Sequence, residues 1–440
     1  MNYQDALNYI HGTYQFGKKL GLENMQDLLH KLGNPQDSLK IIHVAGTNGK
    51  GSVCSFLAQI LTEAGFSVGL FTSPYLERFN ERIRLTGEEI ADDELARHTC
   101  IVKEKIEAMI EEGRHQPSEF EVVTAIAFSY YAEKMPDFLI LEVGLGGRLD
   151  ATNAITSPVL SIITSIGMDH TQYLGNTLTE IAKEKAGIIK PHVPVLVYPQ
   201  DHEVESVIAE IAREKSAPYL QLDPDGIKIL ERSFSGQIVK FKELPDTPLL
   251  ISLLGEYQGM NAYVAFQGMK ALMNYDVLNL TDGTLEQSVK NGLRKTLWAG
   301  RMEILGVKPL ILIDGAHNQQ AGETLVKSVF QLFPGRKITL LFGMLNDKDI
   351  KGFVETILPL ADKVVLTKPF GPRAAHPREL KVYFESRTDE IHIKPSVERA
   401  IDLSLEHTNP EDLLVIAGSL YLIGEARTYL KKRLNKTGCL

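Results

Sequence analysis

The feature of this 440-residue chain that most limits its fold is a glycine-rich turn between a short apolar run and a helical pattern. Residues 41–45 read IIHVA, residues 46–52 read GTNGKGS, and apolar residues at 53, 56, 57, 60, 61 and 64 share one helical face. A strand, a glycine turn and a helix in this order place backbone N–H groups around a phosphate group. The segment therefore predicts a phosphate-binding loop.

Within this loop, Lys50 is placed to reach the terminal phosphates of a nucleotide. The pattern departs from a standard Walker A motif, because Gly51 separates Lys50 from Ser52. The alternative is a tight turn with a surface lysine. The loop residues expected to bind the nucleotide are Thr47, Asn48, Gly49, Lys50, Gly51 and Ser52.

Further apolar runs alternate with helical patterns and predict an α/β fold of two domains. In the first part, runs at 67–72, 138–143, 159–166 and 194–198 predict a doubly wound, P-loop-type sheet. The polar stretch 218–254 predicts a small antiparallel addition, and a helix is expected from about 259 through 272.

From residue 309 the alternation starts again and predicts a smaller Rossmann-like α/β domain. Its strands are expected at 309–313, 337–342, 363–367, 390–394 and 412–417, with helices at about 319–332, 349–358, 396–406 and 420–434. We place the boundary near 297–301, which gives domains 1–298 and 299–440.

Composition excludes several classes of protein. Hydrophobic residues make up 44% and charged residues 23%, and the net charge of −9 argues against a protein that coats nucleic acid. Cys54, Cys100 and Cys439 have neither disulfide-framework nor zinc-site spacing. With no signal peptide in residues 1–20 and no apolar run of about 20 residues, we expect a soluble, cytoplasmic monomer without a membrane or nucleic-acid partner.

Three polar residues follow apolar runs, at the sheet edge where α/β proteins bind ligands. Glu142 closes the run 138–141, Ser73 follows 68–71, and His170 lies after 160–166. A carboxylate and a hydroxyl are hard oxygen ligands suited to magnesium. From local sequence alone, the alternatives are a solvent-facing strand end, a Ser-Pro turn and a structural histidine, and Lys185 would be part of a solvated helix face.

Seven motifs, read together, resemble the folylpolyglutamate synthase and dihydrofolate synthase family, relatives of the Mur ligases of cell-wall synthesis. They span nearly the whole chain in the family's order: HVAGTNGKGS at 43–52, FTSPYL at 71–76, EVGLGGRLDATN at 142–153, GMDH at 167–170, EKAGI at 184–188, GR at 300–301 and DGAHN at 314–318.

The resemblance implies ATP and two magnesium ions, held by Ser73, Glu142 and His170. It implies that Lys185 is carbamylated and helps to hold the second ion. Arg301 and Asp314 would reach the nucleotide from the second domain, with Asn261 nearby, and His317 would lie close to the nucleotide or the closing interface. The residues expected to take part in catalysis are Lys50, Lys185, Arg301 and His317.

The implied substrates are L-glutamate and either a folate or dihydropteroate. In the family, the stretches 117–121 and 75–84 flank the folate pocket. Ser419 resembles a serine linked to amino-acid handling, although a helix cap after a strand is an equal alternative. The residues expected at the substrate are Phe120, Glu121, Arg148, Asp150 and Ser419.

The implied reaction activates a carboxylate as an acyl phosphate, which the amino group of glutamate then attacks. One rival is a Mur-type ligase on a UDP-linked precursor, but only 45 residues precede Gly46, too few for a UDP-binding domain. Others are a P-loop switch or motor, which the acidic balance disfavours, and a non-catalytic nucleotide-binding module. Whether dihydropteroate, folates or both are accepted stays open.

Overall fold

The computed structural model describes residues 1–16 and 21–437. Cys439 lies outside the described residues, whereas Cys54 is buried and Cys100 is partly buried. No helix in the described part of the chain is long and apolar enough to cross a membrane.

The first sheet has eight strands in the order β4-β3-β2-β5-β1-β6-β7-β8. Its strands are β1 (Ile41–Ala45), β2 (Val68–Phe71), β3 (Ile83–Leu85), β4 (Glu88–Glu89), β5 (Phe138–Glu142), β6 (Leu160–Ile163), β7 (Val195–Val197) and β8 (Tyr219–Gln221). The six strands from β2 to β8 in this order are parallel, and β3 and β4 extend the sheet antiparallel. The doubly wound sheet is confirmed.

A separate antiparallel sheet follows, in the order β11-β10-β9. It consists of β9 (Ile227–Ser233), β10 (Gly236–Phe241) and β11 (Leu249–Ile251). The predicted antiparallel addition is thus confirmed, but its start at 218 was wrong. Residues 219–221 form β8, which pairs parallel to β7 in the first sheet.

The helices of this part cover both faces of the first sheet. They are α1 (Tyr3–Gly12), α2 (Glu23–Lys31), α3 (Lys50–Glu63), α4 (Asp92–Glu111), α5 (Glu119–Lys134), α6 (Thr171–Leu174), α7 (Leu178–Ala186), α8 (His202–Glu214), α9 (Tyr257–Asn274) and α10 (Asp282–Lys295). Because α3 lies between the sheet and the pair α9 and α10, it is buried on more sides than its one apolar face predicted.

The second large sheet has six strands in the order β12-β13-β17-β14-β15-β16. Its elements are β12 (Glu303–Val307), β13 (Leu310–Ile313), α11 (Gln319–Leu332), β14 (Ile338–Phe342), α12 (Ile350–Ile357), β15 (Lys363–Leu366), α13 (Pro377–Lys381), β16 (Ile391–Ile393), α14 (Val397–His407), β17 (Leu413–Ala417) and α15 (Leu420–Thr437). The Rossmann-like fold is confirmed, with β12 added antiparallel at its edge.

Candidate functional site

A cavity of about 670 Å³ lies where the carboxyl ends of the strands in the two large sheets face each other. Residues from both parts line it, as expected for a ligand site at the strand ends of α/β sheets. The predicted residues that it brings together are Thr47, Asn48, Gly49, Lys50, Gly51, Ser52, Ser73, Glu142, His170, Lys185, Asn261, Arg301, Asp314, His317 and Ser419.

The glycine loop connects β1 to α3 and forms one wall of this cavity. Gly49 is the N-cap residue of α3 with φ of 87°, and a Cβ atom there would lie 2.8 Å from the Asn261 Oδ1 atom. Since glycine has no side chain to cap the helix, the first-turn N–H groups of α3 and its dipole suit an anion. The Lys50 ammonium donates a hydrogen bond of 3.0 Å to the Gly46 carbonyl oxygen.

Helix α9 supports the loop from behind. The Gln258 side chain donates to the Ser52 hydroxyl at 3.1 Å and accepts from the Asn261 side chain at 3.0 Å. Ser52 and Asn261 are both buried, so the loop is fixed by polar contacts with a neighbouring helix.

At the end of β5, the Glu142 carboxylate accepts a hydrogen bond of 3.1 Å from the Ser73 backbone N–H. Burial raises the pKa of Glu142, while the positive charges of Lys50 and Arg301 oppose that rise. The structure therefore brings a buried carboxylate next to the residue that carries the candidate hydroxyl. In the described part of the chain, no three His, Cys, Asp or Glu residues are arranged to hold a metal ion.

His170 lies beside a buried charge cluster whose centre, Asp169, we did not single out from the sequence. The Lys348 ammonium lies 2.6 Å from Asp169 Oδ1, and the His317 and His170 Nε2 atoms lie 3.7 and 3.9 Å from Oδ2. Burial acts to raise the pKa of Asp169, but the Lys348 charge, joined at low pH by His317 and His170 when they are protonated, holds it well below its usual range. The cluster joins the two parts of the chain.

His317 is uncharged at neutral pH, because burial and the nearby Lys348 charge lower its pKa to about 4. Its Nδ1 atom lies 2.7 Å from the Gly315 carbonyl oxygen, which can only accept a hydrogen bond. The geometry therefore assigns the proton to Nδ1 and leaves the Nε2 lone pair as an acceptor.

Lys185 lies on α7 but is not part of a solvated face. Its side chain is 4% exposed and donates a hydrogen bond of 2.8 Å to the Gly46 carbonyl oxygen of the glycine loop. Burial and the neighbouring Lys50 charge lower its pKa to about 7, so a large fraction of the amine is uncharged at neutral pH.

Asp314 follows β13 of the second sheet and lines the cavity, as does Arg301. The Asp314 carboxylate accepts backbone hydrogen bonds from Met302 at 2.9 Å and Ala316 at 2.8 Å. Burial raises the pKa of Asp314, and the Arg301 charge opposes that rise. The Ser419 hydroxyl accepts from the Tyr421 backbone N–H at 3.2 Å, which is the helix-cap geometry for α15.

The other four predicted substrate residues do not line this cavity. Phe120 packs against Gly144, a wall residue, whereas Glu121 accepts hydrogen bonds from the Ser118 backbone and hydroxyl and so caps α5. Arg148 is exposed and pairs with Glu184 at 2.8 Å. Asp150 is buried and accepts from the Thr152 hydroxyl at 2.5 Å and the Leu145 N–H at 2.7 Å.

Two protein families match the chain along its length. Residues 44–268 match the Mur ligase middle domain, and residues 300–420 match the Mur ligase glutamate ligase domain. The chain is 36% identical over 433 residues to a dihydrofolate synthase/folylpolyglutamate synthase of Bacillus subtilis, which covers 98% of this chain and 99% of that protein.

Solved structures of folylpolyglutamate synthases resemble this chain over nearly its whole length. A folylpolyglutamate synthase of Mycobacterium tuberculosis complexed with ADP and AMPPCP superimposes with a TM-score of 0.87 at 28% identity, covering 98% of this chain and 99% of that one. A complex described as FPGS–AMPPCP–folate superimposes with a TM-score of 0.85 at 33% identity, covering 98% and 100%.

Proposed function

The chain belongs to the folylpolyglutamate synthase and dihydrofolate synthase family of the Mur ligase superfamily, and from this premise we propose how its cavity performs the reaction. It is an ATP-dependent ligase that adds glutamate to a folate. The observation that carries the proposal is one cavity holding the α3 N-terminus, the Glu142 carboxylate and, from the second part, Arg301.

ATP binds with its phosphates at the N-terminus of α3. Lys50 leaves its carbonyl contacts in the glycine loop to meet the terminal phosphates, and Asn261 stays against Gly49. Arg301 approaches from the opposite wall and neutralises charge on the phosphoryl group in transfer. Asp314 faces the ribose, with its position fixed by the two backbone N–H groups that it accepts.

The donor set fits magnesium. Glu142 is a buried carboxylate, and the adjacent Ser73 adds a hydroxyl, so together they offer the hard oxygens that this cation takes along with water and phosphates. When bound, the ion would polarise the phosphate oxygens and offset their charge. We propose that His170 lies near a second magnesium ion. A carbamate formed on the uncharged Lys185 amine would hold this second ion.

The reaction then proceeds in two steps. A carboxylate oxygen of the folate attacks the γ-phosphorus and ADP leaves, which gives an acyl phosphate. The amine of L-glutamate attacks the acyl carbon and phosphate leaves, forming the amide. His317 accepts a hydrogen bond from the incoming amine through its Nε2 lone pair, and closure between the two parts excludes water from the intermediate.

We also propose roles for the predicted substrate residues. Phe120 supports the pteridine side of the cavity through Gly144, and Ser419 faces the glutamate. Glu121, Arg148 and Asp150 act through the loops that they hold, since they lie outside the cavity lining. We also propose that dihydropteroate is accepted, that residues 1–298 and 299–440 move as two units, and that one chain is sufficient for activity.

Heavy-oxygen labelling tests the acyl phosphate. When both carboxylate oxygens of the folate acceptor carry the label, one labelled oxygen passes to the phosphate released in each turnover. Phosphate without label, together with amide formation, would refute phosphoryl transfer to the carboxylate. Labelled ADP is not expected, because the attack is on the γ-phosphorus.

A further inference from the structure

The loop between β2 and β3, residues 72–82, carries Ser73 as its second residue and contacts the second part of the chain. Leu76 in this loop packs against the apolar cluster of α15, which includes Ile423. A Cβ atom on Gly424 would lie 2.1 Å from the Leu76 carbonyl oxygen, so α15 meets the loop backbone directly. The loop is therefore held by the domain opposite the one from which it emerges.

The next residue, Glu77, makes the polar part of this contact. Its carboxylate pairs with the Arg427 guanidinium and accepts from the Thr428 hydroxyl at 2.7 Å, both on α15. The Glu77 and Arg427 side chains are 19% and 15% exposed. A pair this enclosed is costly to form unless its geometry is well satisfied, and breaking it leaves a poorly hydrated charge.

Arg427 also continues the connection towards the linker between the two sheets. Its Nε atom donates to Glu303 Oε2 at 2.9 Å, and the same oxygen accepts from the Gly300 N–H at 2.8 Å. Gly300 immediately precedes Arg301. A Cβ atom on Gly300 would lie 2.7 Å from Ile423, so this turn too is fitted closely to α15.

We propose that Arg427 is a positioning residue that couples the Ser73 loop to Arg301. It binds Glu77, four residues after Ser73, and Glu303, whose carboxylate fixes the turn before Arg301. The inference rests on the proposed roles of Ser73 and Arg301 in phosphoryl transfer. Arg427 does not line the 670 Å³ cavity that holds Ser73, and its connection to that site runs through these two carboxylates.

The test compares Arg427→Met, which keeps most of the apolar stem, with Arg427→Lys and Glu77→Gln. Steady-state glutamate ligation gives kcat and KM, and calorimetry without folate gives the Kd for ATP. Because Arg427 binds Glu77 and Glu303 rather than the glycine loop, we expect the Kd to stay within about twofold of wild type while kcat falls about 10- to 100-fold. Arg427→Lys should recover part of the loss.

The matched control is Arg433→Met, on the same helix. Arg433 pairs with Asp402 of α14, an exposed contact inside the second part, and its loss should leave kcat unchanged. The double variant Glu77→Gln/Arg427→Met should lose no more than Arg427→Met alone, since Arg427→Met already breaks the contact with Glu77.

The proposal is overturned if kcat of Arg427→Met equals that of wild type, if Arg433→Met shows the same loss, or if ATP affinity falls by the same factor as kcat. Should Arg427→Met not fold, Glu77→Gln decides alone, because it keeps the side-chain shape. Wild-type turnover separates this inference from the proposed function: a wild-type chain that ligates no glutamate refutes the function, whereas active wild type with unaffected variants refutes only the coupling.

Discussion

Replacing Lys348 by methionine should open the cavity. The Lys348 ammonium lies 2.6 Å from the Asp169 carboxylate across the two parts of the chain, with side chains 10% and 11% exposed. Removing one partner of a buried pair costs about 3–5 kcal/mol. Most of each core comes from its own part of the chain, so the cost falls mainly on the closed arrangement rather than on either fold.

Remaining contacts reduce that cost. The Asn318 amide still donates to Asp169 at 3.3 Å, so we take the lower value of about 3 kcal/mol, which is about a hundredfold in the closed-to-open equilibrium. We expect kcat/KM for glutamate to fall by a similar factor. Small-angle X-ray scattering should show a larger radius of gyration with ATP present than for wild type under the same conditions.

The loss should also depend on pH. In wild type the pKa of Asp169 is depressed, so the pair stabilises the closed form above the ordinary carboxyl pKa, and this contribution is lost as pH falls through the depressed value. In Lys348→Met, burial should raise the pKa of Asp169, so protonation at mildly acidic pH relieves the defect. Lys351→Met is the control, since its pair with Glu355 is 73% and 63% exposed. An unchanged radius and kcat/KM in Lys348→Met would refute the argument.

Three further outcomes are expected. Lys50→Met should lower kcat at least about a hundredfold with an unchanged circular dichroism spectrum, because the charge that meets the phosphates is gone; wild-type turnover would show that the nucleotide lies elsewhere. Intact mass spectrometry under mild conditions should find the mass of one carbon dioxide added in wild type, absent in Lys185→Met and retained in Lys190→Met; retention in the first variant would contradict the carbamate. Burial and the nearby Lys190 charge lower the pKa of His43 to about 3, so its folded form stays uncharged while the unfolded chain takes up a proton below pH 6.5. The free energy of unfolding should therefore fall as pH drops from 6.5 towards 3, by at most about 5 kcal/mol from this group. In His43→Gln the denaturation midpoint should depend less steeply on pH than in wild type, and equal slopes in the two proteins would refute the assignment.

Strong periodic signals were sufficient to predict the sheets. The runs at 41–45 and 138–143 correspond to central parallel strands, which are buried on both faces and so read as continuous apolar segments. The edge strands β3 and β4 were missed because they are only three and two residues long, too short to show an alternating pattern. β8 was misassigned to the antiparallel addition, because partly exposed edge positions give no pattern that distinguishes parallel from antiparallel pairing.

Only some contacts of the candidate site could be predicted from sequence motifs. Glu142 and Ser73 could be expected to meet, since both follow neighbouring parallel strands. Lys348 follows β14, also at a strand's carboxyl end, but only the structure pairs it with Asp169 from the other part. Arg427 lies within a helix of mixed character, and no local pattern indicates that its partner is Glu77, 350 residues away. Contacts between domains depend on three-dimensional closure, which local spacing does not encode.

The central claim is tested most directly by incubating the purified chain with ATP, magnesium and labelled L-glutamate, offering tetrahydrofolate or dihydropteroate in separate reactions. The account predicts label in the folate product, with one ADP and one phosphate released for each glutamate added. If the chain is folded and binds ATP but incorporates no label with either acceptor, the claim is contradicted.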